Sequence, residues 1–235
     1  MIYTWSSATH PGLVRSHNQD AVYPAESGQG AGPLLVAVAD GMGGHVAGDV
    51  ASRVAIETAA SADGGPKRRV AAANRAVLET SRQHPELAGM GTTLTLAALQ
   101  PDGALRLAHV GDSRAYILRD GDLRQLTTDH SLVAEYLAAG RIDPEEVATH
   151  PQRSVITRAL GIETALKVDL IEERLRPGDR VLLCSDGLNS MLDDEEIMRL
   201  LGAATPAEDI TWALVEAANR AGGEDNVSVV VVDVS

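Results

Sequence analysis

A chain of 235 residues with 44% hydrophobic content can bury a substantial core, and its length suits one domain spanning 1–235. Its 33 acidic and 20 basic residues leave a net charge of −13, which argues against a nucleic-acid or anionic-membrane binder. The single cysteine, Cys184, excludes an internal disulfide, the start has no basic, apolar leader, and no apolar run exceeds six residues, so a soluble, cytoplasmic chain is expected.

Residues 2–9 mix β-branched and aromatic side chains and predict a first strand. A turn-rich loop follows at 28–33, then a fully buried strand at 34–39. Residues 49–60 are alanine-rich, with Val50, Val54 and Ala55 at helical spacing, and Gly64-Gly65-Pro66 breaks that helix. A second helix runs over 67–83, with Val70, Ala73, Ala76, Val77 and Thr80 along one face. The period then shortens. Segments 92–99, 104–110, 114–119 and 122–126 predict an antiparallel meander, with turns at Pro101-Asp102-Gly103 and Asp120-Gly121. Residues 129–160 form an inserted flap with short helices at 132–139 and 144–150. Strands return at 167–175 and 179–185, helices at 193–201 and 207–221, and a strand at 226–234. Strict β-α alternation is absent, so packed sheets with helix pairs outside are expected rather than a doubly wound parallel sheet.

Three apolar, strand-like runs end in aspartate: Leu34 to Ala39 before Asp40, Arg106 to Gly111 before Asp112, and Val181 to Ser185 before Asp186. A fourth acid, Asp225, opens the apolar run Val227 to Val232. A charge at the end of a buried strand is costly unless paired or bound to metal. Four such ends, if they converge, make an oxygen-rich metal site. Other chemistries lack their motifs: there is no Gly-Lys pair for a phosphate loop, Val46 breaks a dinucleotide fingerprint, and one cysteine cannot build a thiolate zinc site.

In order and spacing the motifs resemble the metal-dependent protein phosphatases, the type 2C serine/threonine family in its compact bacterial form. The marks are Arg15-Ser16-His17-Asn18-Gln19-Asp20, Val38-Ala39-Asp40-Gly41-Met42-Gly43-Gly44-His45, Gly91-Thr92-Thr93 and His109-Val110-Gly111-Asp112-Ser113-Arg114. Asp129-His130-Ser131, His150-Pro151, Cys184-Ser185-Asp186-Gly187 and Gly223-Glu224-Asp225-Asn226-Val227 complete them. The resemblance implies an α+β, four-layer αββα sandwich of two mainly antiparallel sheets flanked by helix pairs.

It also implies a two-ion Mn²⁺ or Mg²⁺ centre. Asp40 would bridge both ions with the Gly41 carbonyl on one, Asp186 and Asp225 would hold the first, Asp20 the second, and Asp112 with Asp186 a weaker third. Two such cations about 3.5–4 Å apart make a hydroxide nucleophile near neutral pH. Arg15 would clamp the phosphate and His45 would protonate the departing oxygen. The implied partners are phosphorylated proteins and Ser/Thr kinases, and a monomer is expected. Asp49 replaces the more usual glutamate after the Gly-Gly-His stretch, which keeps the carboxylate. The alternatives are a small-molecule phosphomonoesterase and a catalytically silent phosphoprotein-binding module. His17, His84, His109, His130 and His150 read as structural, Cys184 as a core residue and Asn226 as loop support. Arg141, Arg153 and Arg158 of the flap read either as steering groups for phosphopeptides or as ordinary solvated cations.

Overall fold

A computed structural model of the chain describes residues 1–43, 47–147 and 149–235. Its strands are β1 (Tyr3–His10), β2 (Asp20–Tyr23), β3 (Gly28–Gly30), β4 (Leu34–Met42), β5 (Gly91–Thr92), β6 (Leu94–Leu99), β7 (Ala104–Val110), β8 (Arg114–Arg119), β9 (Asp122–Gln125), β10 (Asp169–Arg174), β11 (Arg180–Cys184) and β12 (Val227–Val234). Its α-helices are α1 (Ala47–Ser61), α2 (Pro66–Gln83), α3 (Leu132–Ala138), α4 (Pro144–Val147), α5 (Asp186–Asn189), α6 (Asp194–Leu201) and α7 (Ala207–Arg220).

One sheet runs β3-β1-β12-β11-β8-β9; the other runs β10-β7-β6-β4-β2, with β5 paired to β4. Every strand pairing in them is antiparallel. β1 pairs with β12 along its whole length, from Tyr3↔Val234 to His10↔Val227.

The alternation along each strand builds three apolar layers. Val230, Val232, Val181, Leu183, Val36, Val38, Leu105 and Leu107 meet between the sheets. Val227, Val229, Val231, Leu182 and Cys184 point the other way, onto Ile197, Leu201, Ile210 and Leu214. Ala37, Ala39, Leu94, Leu96 and Ala108 face Ala51, Ala55, Val70, Ala73 and Val77 of α1 and α2. The result is the expected four-layer αββα sandwich. It explains the continuous valine run of β12, since a strand covered on both faces needs no polar side.

The structure adds elements and extends others. β3 occupies a stretch read as a loop, and β2 one to which no element was assigned. β2 is four residues long and exists because β4 supplies its register, Asp20↔Asp40 through Tyr23↔Ala37. β3 is Gly-Gln-Gly on the edge of β1, and a Cβ at Gly28 would come within 2.5 Å of the Trp5 ring. β4 continues three residues past its apolar run, through Asp40 and Gly41, and α5 begins at Asp186.

The flap, 129–160, is tied at both ends. Arg114 grips Asp129 with contacts of 2.7–3.1 Å. The Thr92 and Leu160 backbones exchange bonds of 3.1 and 2.8 Å, which returns the chain beside β5. Ser131 caps α3 by accepting from the Ala134 N–H at 3.3 Å. The second flap helix ends at Val147, short of the expected His150; Ala148 lies outside the described residues.

Candidate active site

The acids gather at one end of the two sheets. Asp20 and Asp40 face each other directly across β2 and β4. Asp112 follows β7, Asp186 follows β11, and Asp225 precedes β12. Like charges directly opposite on adjacent strands destabilise a sheet, so this pairing asks for a counter-charge.

The surrounding residues hold the backbone still. The Asp40 N–H donates to Thr93 Oγ1 at 2.9 Å, and its carbonyl accepts from the Thr93 N–H and Thr92 Oγ1, both at 2.9 Å. Gly41 fills a closed cradle: its N–H donates to the Gln19 carbonyl at 3.0 Å, and a Cβ there would lie 2.0 Å from the Gly48 carbonyl oxygen. Ser185 Oγ donates to Asp20 Oδ2 at 2.7 Å and accepts from the Ser228 N–H at 2.9 Å. Asn226 joins two loops, donating to the Pro11 and His17 carbonyls at 2.9 Å and accepting from the Gln19 N–H at 2.8 Å. It has the loop-supporting role expected of it.

Burial, followed by mutual repulsion, shifts Asp20, Asp40, Asp112 and Asp186 upward. Desolvation pushes Asp20 to about 7, against its Ser185 and Ser228 bonds and helped by Asp186 and Asp225. Desolvation carries Asp112 to about 8, with Asp186 and Asp129 adding to it. Asp40 is raised well above the carboxylate range by burial, then by Asp20, Asp186 and Asp112. Asp186 is raised by burial and then by the Asp225 charge.

Three of the acids' buried oxygens have no hydrogen-bond partner among the described residues: Asp20 Oδ1, Asp112 Oδ1 and Asp186 Oδ1. Buried, unsatisfied acceptors of this kind need an explanation, and a hard cation is the ligand that an all-oxygen donor set fits. Among the described residues no three His, Cys, Asp or Glu side chains are drawn into a ready coordination shell. The acids lie close enough to repel one another.

Arg15 also reaches the cluster, but its Nη2 lies 2.8 Å from Asp225 Oδ2, with 56% and 35% of the two side chains exposed. His45 lies outside the described residues. Arg158 is not a free steering cation. It donates to Asp169 Oδ1 at 3.0 Å beside His130, whose Nδ1 accepts from the Gly111 N–H at 3.0 Å. His109 is fully buried between Thr95 Oγ1 and the Thr128 carbonyl, and desolvation lowers it to about 4. Cys184 is buried and free, and desolvation raises its thiol to about 12. The sequence reading missed Ser185 and Thr93, which hold Asp20 and Asp40. Their one signal was a hydroxyl next to an apolar run, where a buried polar group must find a partner.

The sequence profile of protein phosphatase 2C matches residues 14–221. This chain belongs to the protein phosphatase 2C family. Serine/threonine protein phosphatase PstP of Mycobacterium tuberculosis is 45% identical over 245 residues; the match covers all of this chain and 45% of that protein. The chain thus spans under half the length of that relative. Serine/threonine phosphatase stp of Listeria monocytogenes is 37% identical over 240 residues, covering 96% of this chain and 93% of stp. The PstP catalytic domain, solved in complex with two manganese ions, superposes with a TM-score of 0.87 at 40% identity, covering 100% of this chain and 99% of that one. Within the phosphatase 2C family, then, this chain's fold is shared over its whole length.

Proposed function

We propose that this chain is a Mn²⁺- or Mg²⁺-dependent phosphatase domain acting on phosphoserine and phosphothreonine in proteins. The observation that carries the reading is the set of buried carboxylates at the strand ends, three of them with an oxygen left unpartnered. The names of the relatives and the manganese pair in PstP support the activity and the ion class.

Asp20, Asp40, the Gly41 carbonyl, Asp186 and Asp225 are assigned to two ions, and Asp112 with Asp186 to a weaker third. When bound, the ions supply a nucleophile from water near neutral pH and stabilise the charge of in-line phosphoryl transfer. The protein's part is to give up protons, because raised acids must ionise to ligate, which makes ion affinity rise with pH. Arg15 exchanges Asp225 for the phosphate, to which its planar fork is complementary. His45 is assigned to protonate the leaving oxygen. Residues 1–235 are read as one catalytic domain with the flap at 129–160, working as a monomer in the cytoplasm and opposing Ser/Thr kinases. Among the described residues no helix is long and apolar enough to cross a membrane.

The test is phosphate release from a phosphothreonine peptide with Mn²⁺, with Mg²⁺ and with EDTA. Release restored by metal supports the reading. No release from folded, ion-loaded protein overturns it in favour of a binding module. Faster turnover of sugar phosphates or nucleotides would move the assignment to a small-molecule phosphomonoesterase.

A further inference from the structure

Among the described residues, Leu13 and Val14 are the most exposed large apolar side chains, at 67% and 69%. Single exposed apolar residues are ordinary, but these two are adjacent, held in place, and stand directly before Arg15. Both backbone N–H groups donate to the Gly223 carbonyl, at 2.8 and 3.3 Å. Gly12 packs so closely on the same loop that a Cβ there would lie 2.2 Å from the Asp225 carbonyl oxygen, and its φ is +80°. Arg15 bonds Asp225 at 2.8 Å. The apolar pair is therefore fastened to the loop that carries a site acid, one residue from the proposed phosphate clamp. Seating this pair costs little conformational entropy, because its backbone is already ordered.

We propose that Leu13 and Val14 seat the residue flanking the phosphorylated side chain, so that preferred substrates carry a bulky apolar neighbour beside phosphoserine or phosphothreonine. This rests on the phosphatase reading above. Glu224 lies on the same loop and disfavours an acidic neighbour there. Specificity then comes from an attractive apolar contact and a repulsive acidic one.

The experiment measures kcat/KM, with Mn²⁺ present, on phosphothreonine peptides that differ only in having Leu, Ser or Glu beside the phosphorylated residue. The wild type is expected to favour Leu over Ser by about tenfold, the yield of covering about two methylenes' worth of surface in all. Glu should be the poorest. In the Leu13→Ser/Val14→Ser double variant the Leu-to-Ser ratio should fall to within about twofold of unity. Equal rates on Leu and Ser peptides in the wild type would overturn the proposal and leave the phosphatase reading standing. So would a preference that survives in the double variant. The wild-type ratio needs no variant, so misfolding of the variant cannot hide the answer. No release from any peptide would sink the phosphatase reading, and this proposal with it. A concentration-dependent dimer that the double variant abolishes would also overturn the proposal, by giving the apolar pair a second copy as its occupant.

Discussion

Replacing Asp20 by Asn isolates what the acid cluster costs the fold in the absence of metal. Asp20 is 8% exposed, faces Asp40 across the sheet and is raised from its ordinary value of 3.8 to about 7. At about 1.4 kcal/mol per pKa unit, a rise of that size corresponds to about 4 kcal/mol. The folded value lies above the unfolded one, so the native chain keeps a proton that the unfolded chain has released. Stability from this group is complete below about pH 4 and lost as the pH rises to about 7. Asn keeps an acceptor for Ser185 but loses its charge, a cost of about 1 kcal/mol at any pH. In EDTA at pH 8 the variant should therefore be more stable than wild type by about 2–3 kcal/mol. Urea unfolding at pH 5.5 and pH 8 measures this, and the advantage should grow by about 2 kcal/mol between the two. Comparing variants removes His109, which titrates in the opposite direction in both. Adding Mn²⁺ at 100 times its Kd should return about 2.7 kcal/mol to wild type and much less to the variant. An advantage that does not change with pH would refute the argument that burial and like charge hold the Asp20 proton.

Three further outcomes follow from the same geometry. His109, lowered to about 4, loses stability as the pH falls from about 6.5 to 4, by about 3 kcal/mol. Its ring resonances should not titrate above pH 5, and an NMR midpoint near 6.5 would contradict the burial argument. Asn226→Ala removes two bonds to carbonyls and one from the Gln19 N–H, and should cost about 3 kcal/mol in urea unfolding; a change under 1 kcal/mol would show that water replaces the amide. Arg15→Ala should raise KM for a phosphothreonine peptide about tenfold while shifting stability by less than about 1 kcal/mol, because its pair with Asp225 is exposed. An unchanged KM would remove Arg15 from the phosphate.

The layers were legible because apolar period survives on both faces: Val229 and Val231 serve one core, Val230 and Val232 the other, and both sets stand in one unbroken run. β2 and β3 were not legible. Asp-Ala-Val-Tyr and Gly-Gln-Gly have no pattern long enough to declare a strand, and each is held by a neighbour far away in sequence. The acids at strand ends were visible as costly placements, but not their contacts. That Asp20 sits opposite Asp40 is a matter of register, and that Arg15 bonds Asp225 joins residues 210 apart. The ion pair of Arg158 was hidden for the same reason, since its partner Asp169 lies on β10 beyond the flap.

The pairing of β1 with β12 has a consequence for synthesis. The inner strands β4, β6 and β7 and the helices α1 and α2 all lie between residues 34 and 110, so that half can assemble while the ribosome is still working. The other sheet cannot close until Val227–Val234 emerges to lie beside Tyr3–His10. Asp225 arrives with that same last segment. The acid cluster and the completed sandwich are therefore finished together, and a nascent chain still lacking that segment should be unfolded in its second half.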